Sequence, residues 1–260
     1  MADGDYERGR TREIAGYAAT LRRLAAARRP RVMVLNGWAA APEAWSLCTF
    51  PRDVLFSYVD HLAHKPEETL AAWPGKAVLV GWSMGGSSAL RLALRFPEKV
   101  AGLVLVAATP RMMEDKAAGW RGMSPRRLEA LRYGLLMTMG GGFFGVPEGK
   151  PNPYLVDARE NLEAGLRYLL ETDVRASLQS VFASSPAHRF PVHVFQSERD
   201  GIVRPENAAW LKTVFPQAAL TMVPGSEHAL PIMIPAALDA AVSQILHPSQ
   251  PSQPSQPSLP

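Results

Sequence analysis

Cysteine is almost missing from this chain: Cys48 is the only one in 260 residues. A lone thiol forms no internal disulfide and supplies no multi-cysteine metal site, so both frameworks are excluded. Such sparing use fits a reducing compartment, and a cytoplasmic protein is expected. Long apolar runs are missing as well. No segment approaches the roughly 18 apolar residues that a membrane-crossing helix needs, and residues 1–31 interrupt their Ala/Leu pattern with acids and arginines. Neither a membrane span nor an export signal is expected. Concentrated charge of one sign is the third absence. Lysine and arginine number 28 against 24 acids, a net +4, and they are spread along the chain without a helix-turn-helix, zinc-finger or ribonucleoprotein signature. Nucleic acid is therefore not an expected partner.

What the chain does have is apolar content, 47% of its residues, enough for one large α/β domain. A monomer is expected. Ile14, Tyr17, Leu21 and Leu24 fall at helical intervals between arginines, which predicts an amphipathic helix within residues 1–30, packed on the core. Short apolar runs follow at Arg31 to Asn36, Val54 to Val59, Ala77 to Val80 and Leu103 to Ala107. They read as buried strands of a parallel sheet, with helices predicted at Pro66 to Trp73 and Gly85 to Phe96. From residue 110 to 190 the strand rhythm stops. Helical patterns at Ser124 to Met137 and Asp157 to Glu171, around a Gly-rich break at Gly140 to Gly142, predict an inserted helical cap. Strands resume at Val192 to Gln196 and Leu220 to Val223, with a last helix from Ala236 to Ile245. The core is thus assigned to 31–109 and 191–246. Beyond it, the Pro-Ser-Gln repeats of 247–260 offer almost nothing to bury and predict a disordered tail.

The sharpest motif is Gly81-Trp82-Ser83-Met84-Gly85, which follows an apolar strand and precedes a helical pattern. That is the setting of a nucleophile elbow, where a strained strand-to-helix turn presents a serine and small neighbours let the backbones pass. It predicts the α/β-hydrolase fold. A serine hydroxyl is a weak nucleophile at neutral pH, so Ser83 needs a base held in one tautomer, and in this fold the order is serine, acid, histidine. Asp200 lies just after a predicted strand in Glu198-Arg199-Asp200-Gly201, with Glu198 as substitute. His228, in the polar loop Gly225-Ser226-Glu227-His228, alone among six histidines follows both serine and acid and precedes the last helix. His61, His64, His188, His193 and His247 read as surface or packing residues. For the oxyanion, the amide of Met84 at the helix start is the first donor. The amide of Trp38, in the loop Leu35-Asn36-Gly37-Trp38 after the first sheet strand, is the second.

With these loops in place, the chain from about Val32 to Leu246 resembles the pimeloyl-acyl carrier protein methyl ester esterases of biotin synthesis. Asn36-Gly37-Trp38 with Pro42-Glu43-Ala44-Trp45 is similar to that family's His-Gly-Trp-Gly, a short spacer and a tryptophan. Gly81 to Gly86 is close to its elbow, and Asp200-Gly201-Ile202-Val203 and His228-Ala229 followed by Pro235 resemble its acid and base loops. In the cap, Ala164-Gly165-Leu166 to Thr172-Asp173-Val174-Arg175 looks like its hallmark stretch. The departures are Asn36 for the usual histidine and an arginine-rich helix for the usual amino-terminal strand pair. The resemblance implies hydrolysis of a methyl ester through an acyl-enzyme, with no metal or organic cofactor. It implies acyl carrier protein as partner and an acyl pocket lined by Tyr133, Gly134, Leu135, Leu136 and Met137. Carrier proteins are acidic, so the basic stretch from Arg111 to Arg132 is the expected dock, with Arg121, Arg126 and Arg127 its core. A general carboxylesterase, a menaquinone-pathway or carbon-carbon hydrolase, and a non-catalytic binding homologue are the alternatives. Retention of serine, acid and histidine together argues against the last.

Overall fold

The computed structural model describes residues 29–138, 149–154, 157–183 and 190–248. The predicted amino-terminal helix before residue 29, the break at Gly140 to Gly142, His188 and the tail from residue 249 lie outside the described residues. Six parallel strands form one sheet in the order β2-β1-β3-β4-β5-β6: β1 Arg31–Leu35, β2 Val54–Phe56, β3 Ala77–Trp82, β4 Val100–Val106, β5 Val192–Ser197 and β6 Ala219–Val223. β1 and β3 are buried along their whole lengths, as near-continuous apolar strands in a doubly covered sheet should be. Their side chains alternate between two cores. Met33, Leu35 and Leu79 point into one, with Leu70 and Leu90 of the covering helices; Val32, Val34 and Val80 point into the other, with Trp45 and Ile245.

Helices fill the connections: α1 Tyr58–Leu62, α2 Lys65–Ala72, α3 Met84–Arg95, α7 Glu206–Val214, α8 Leu230–Met233 and α9 Pro235–Leu246. Between β4 and β5 come α4 Pro125–Thr138, α5 Arg159–Glu171 and α6 Arg175–Leu178, so the expected cap is helical. The strand expected from Val54 to Val59 stops at Phe56, because Ser57 and Asp60 form a reciprocal capping box that starts α1. A Ser-x-x-Asp signal inside an apolar run was there to be read. β6 is largely exposed, as an edge strand is.

The cap is fastened to the core by a third apolar cluster, in which Met112, Met123, Leu128, Leu162, Leu166 and Leu169 meet Ala39, Tyr58 and Met84. Hydrogen bonds add direction. The Trp38 indole N–H donates to the Leu162 carbonyl at 2.9 Å, and the Tyr58 hydroxyl binds Asp157 just ahead of α5. Gly165 permits this approach, since a Cβ there would stand 2.6 Å from the Trp38 ring. Among the described residues no helix is long and apolar enough to cross a membrane.

Candidate active site

The strand order reverses between β1 and β3, so the loops leaving their carboxyl ends diverge and open a crevice, the place where α/β sheets bind ligands. Both loops carry residues singled out from the sequence. Ser83 sits at φ 55° and ψ −117°, between the end of β3 and the start of α3, held by its N–H to the Val106 carbonyl at 2.9 Å. A non-glycine residue there is strained and persists only when its surroundings fix it. They do: a Cβ on Gly81 would lie 2.4 Å from the Gly85 carbonyl oxygen, and one on Gly85 only 1.9 Å from that of Leu35. Both glycines are therefore required by close backbone approach.

Around Ser83 the chain closes a continuous line of hydrogen bonds. His228 Nε2 lies 2.9 Å from Ser83 Oγ, and His228 Nδ1 lies 2.8 Å from Asp200 Oδ2. Asp200 is 2% exposed, and its other oxygen, Oδ1, accepts the N–H groups of Ile202 at 2.7 Å and Val203 at 3.1 Å. Glu198, the substitute acid, is exposed. The histidine loop is pinned twice: the Trp82 indole N–H donates to the His228 carbonyl at 2.9 Å, and the Ser197 hydroxyl donates to the Glu227 carbonyl. Trp82 also lays its ring beside the imidazole, with centroids 5.9 Å apart.

Across the crevice, Trp38 sits within a tight turn closed by the Ala40 N–H on the Gly37 carbonyl at 3.2 Å, and Asn36 shapes that turn from below. Its amide donates to the Ala40 and Ala41 carbonyls at 3.2 and 3.1 Å, and its oxygen accepts the Trp45 indole N–H at 2.8 Å. The residue that departs from the histidine of similar chains thus has a complete structural task. Met84 opens α3, whose first N–H groups have no partners within the helix and carry its positive end. A narrow cavity of about 20 Å³ lies over Ser83 and His228, walled by Trp38, Trp82, Met112, Tyr154, Leu169 and Ile202.

A sequence profile described as alpha/beta hydrolase fold matches residues 71–232. Two pimeloyl-[acyl-carrier protein] methyl ester esterases, from Nitrosospira multiformis and Aromatoleum aromaticum, are 32% and 30% identical to the chain. Their alignments span 76% and 77% of it and 88% and 92% of their own lengths. The chain belongs to this esterase family of α/β hydrolases. Solved structures agree on the fold: a hydrolase from Oleispira antarctica superposes with a TM-score of 0.63 at 14% identity, over 84% of this chain and 91% of its own. A carboxylesterase structure from Nitrososphaera gargenis gives 0.59 at 13%, over 84% and 90%.

The esterase is a carboxylic ester hydrolase, and its crevice differs in part from what the sequence suggested. Tyr133, expected on the acyl pocket, is 68% exposed on α4 and does not wall the cavity. The helix turns Leu128 inward and carries Tyr133 outward with Glu129, Ala130 and Arg132. For Gly134, Leu135, Leu136 and Met137 only the helical backbone is described, so whether they border the pocket lies outside the described residues. Met112, Tyr154, Leu169 and Ile202 were missed because they come from four separate segments, each apolar for ordinary packing reasons. Of the other histidines, His61 and His193 are partly or fully enclosed, and His64 and His247 are exposed. Cys48 is buried; burial, then the nearby Asp239, pushes its thiol up to about 12. That is the reverse of a reactive cysteine.

Proposed function

We propose that this hydrolase removes the methyl ester from a dicarboxylate chain carried by acyl carrier protein, pimeloyl being the chain that its relatives' names specify. The observation that carries the reading is the unbroken line from Ser83 Oγ through His228 to a buried Asp200. Ser83 Oγ attacks the ester carbonyl while its proton passes to His228 Nε2. Asp200 holds the imidazole with Nδ1–H toward itself and stabilises the cation that forms. The amides of Met84 and Trp38 receive the oxyanion. As the carbonyl re-forms, the bond to the methoxy oxygen breaks and His228 returns the proton, releasing methanol. Water, deprotonated by the same imidazole, then attacks the acyl-enzyme and frees the carboxylic acid and Ser83.

Residues 31–109 and 191–246 serve as the hydrolase core and 110–190 as the cap that faces the carrier. Arg121, Arg126 and Arg127 are exposed, and Arg126 and Arg127 occupy the first turn of α4, which has no acidic residue. Cations there oppose the helix dipole, so they add nothing to helix stability. An acidic partner would reverse that cost. Arg127 also lies over Gly201, beside the acid loop, and Arg121 pairs with Glu206 at 3.1 Å in an exposed contact of little energetic weight. A monomer working in the cytoplasm is the setting implied.

The test is to compare carrier-linked and free monomethyl dicarboxylates. The carrier-linked ester should be preferred in kcat/KM, and Ser83 should be the residue labelled by a fluorophosphonate. Neutralising the three arginines should raise KM for the carrier-linked ester, most at low salt, and spare a short soluble ester. No preference in the unmutated enzyme would leave a general carboxylesterase.

A further inference from the structure

Gln196, the fifth residue of β5, is fully buried, four positions ahead of Asp200. Its side-chain nitrogen faces three acceptors: Asp200 Oδ2 at 3.1 Å, the Val203 carbonyl at 3.1 Å and the Ser197 carbonyl at 3.4 Å. That surrounding fixes the amide's orientation, because the flipped form would turn an oxygen toward three oxygens. The opposite end of the amide is paid no such attention. Gln196 Oε1 is buried, and among the described residues it has no hydrogen-bond partner. A buried acceptor without a donor costs stability, and an apolar residue of the same size would avoid the loss. What the amide contributes lies on its nitrogen side.

There it meets the same carboxylate oxygen that His228 Nδ1 contacts at 2.8 Å. With Ile202 and Val203 amides on Oδ1, four donors surround the carboxylate, two on each oxygen. The amide N–H groups lock one oxygen, but they leave the carboxylate free to pivot about it. The Gln196 N–H on the other oxygen removes that pivot and sets Oδ2 in line with the imidazole. Because the same nitrogen also binds the Val203 carbonyl, it braces the far end of the loop that carries Asp200.

We infer that Gln196 is a positioning residue of the catalytic apparatus: it holds the Asp200 carboxylate against His228 and acts on turnover only through that aspartate. The inference rests on the assignment of Ser83, His228 and Asp200 given above. Its effect should fall on the chemical steps and leave substrate binding alone, since Gln196 does not border the cavity over Ser83.

The experiment is a double-mutant cycle on a short soluble methyl ester. Gln196→Met keeps the volume and removes the donor. In the wild-type background kcat should fall by about 10-fold, as expected for losing a hydrogen bond to a charged group, with KM within about twofold. In the Asp200→Asn background the same substitution should change kcat by less than about twofold, because the group it positions is already disabled. Gln196→Asn, which retracts the amide by one methylene, guards against a misfolded Met variant and should reproduce the loss. Wild-type kcat in both variants, or an equal loss in both backgrounds, would overturn the inference and leave Gln196 a packing residue. Failure of the triad itself would look different: unmutated enzyme would not be labelled at Ser83, or Asp200→Asn alone would retain full activity.

Discussion

Acid should weaken this fold through one residue far from the reaction, His61. Its side chain is enclosed between the core and the cap, with Nδ1 2.7 Å from Ser88 Oγ, which in turn lies 2.9 Å from the Tyr168 hydroxyl of α5. Burial is the largest influence on the imidazole and disfavours its cation. Asp60 and the Phe56 carbonyl partly offset this, Arg91 adds to it, and the balance lowers the histidine from 6.5 to about 4. Below pH 6.5 the unfolded chain therefore takes up a proton that the folded chain refuses. Stability contributed by the neutral, buried ring is intact above pH 6.5 and declines as pH falls toward 4. At about 1.4 kcal/mol for each pH unit between those values, the loss amounts to about 3 kcal/mol, a large part of a typical folding free energy. Carboxylates such as Asp60 also change stability in acid, so the comparison must be with His61→Gln, which keeps a polar group beside Ser88 but cannot titrate. Urea unfolding from pH 7 down to pH 4 should show wild type losing about 3 kcal/mol more than the variant. Parallel curves for the two proteins would refute the argument and show that His61 titrates normally in the folded state.

Other outcomes follow from contacts at the crevice. Gly85→Ala should destabilise the protein by more than about 4 kcal/mol or prevent folding, read as lost thermal unfolding, because its Cβ would fall 1.9 Å from the Leu35 carbonyl oxygen. Asp200→Asn should lower kcat by about 10³ to 10⁴-fold with little change in melting temperature, whereas Glu198→Gln should be silent in the same ester assay. Trp82→Phe should keep a ring beside His228 but lose the indole bond to its carbonyl, lowering kcat several-fold at nearly constant KM.

Much of the candidate site was legible because its parts are local. The elbow needs small residues two positions either side of its serine, and Gly81 and Gly85 announce this within five residues. Asp200 and His228 follow from chain order and from the apolar strands before their loops. The residues that wall the cavity over Ser83 were not legible in this way. Tyr133 is an apolar aromatic on an amphipathic helix, and only the rotation of α4 against its neighbours decides that it faces outward. The end of β2 falls at Phe56 and not at the expected Val59, because Ser57 and Asp60 cap a helix inside what reads as one apolar run.

The sequence by itself determined the parallel α/β core, the serine turn and the order of the three catalytic candidates, since each depends on periodicity or on neighbours close along the chain. Only the tertiary structure decided which acid reaches the histidine and that Asn36, held by the Trp45 indole, braces the Trp38 turn through the Ala40 and Ala41 carbonyls. It also decided that Gln196 shares an oxygen of Asp200 with the imidazole. Those facts rest on distances between segments brought together by packing. Hydrogen bonds weaken over a few tenths of an ångström, a scale on which spacing along the chain carries no information.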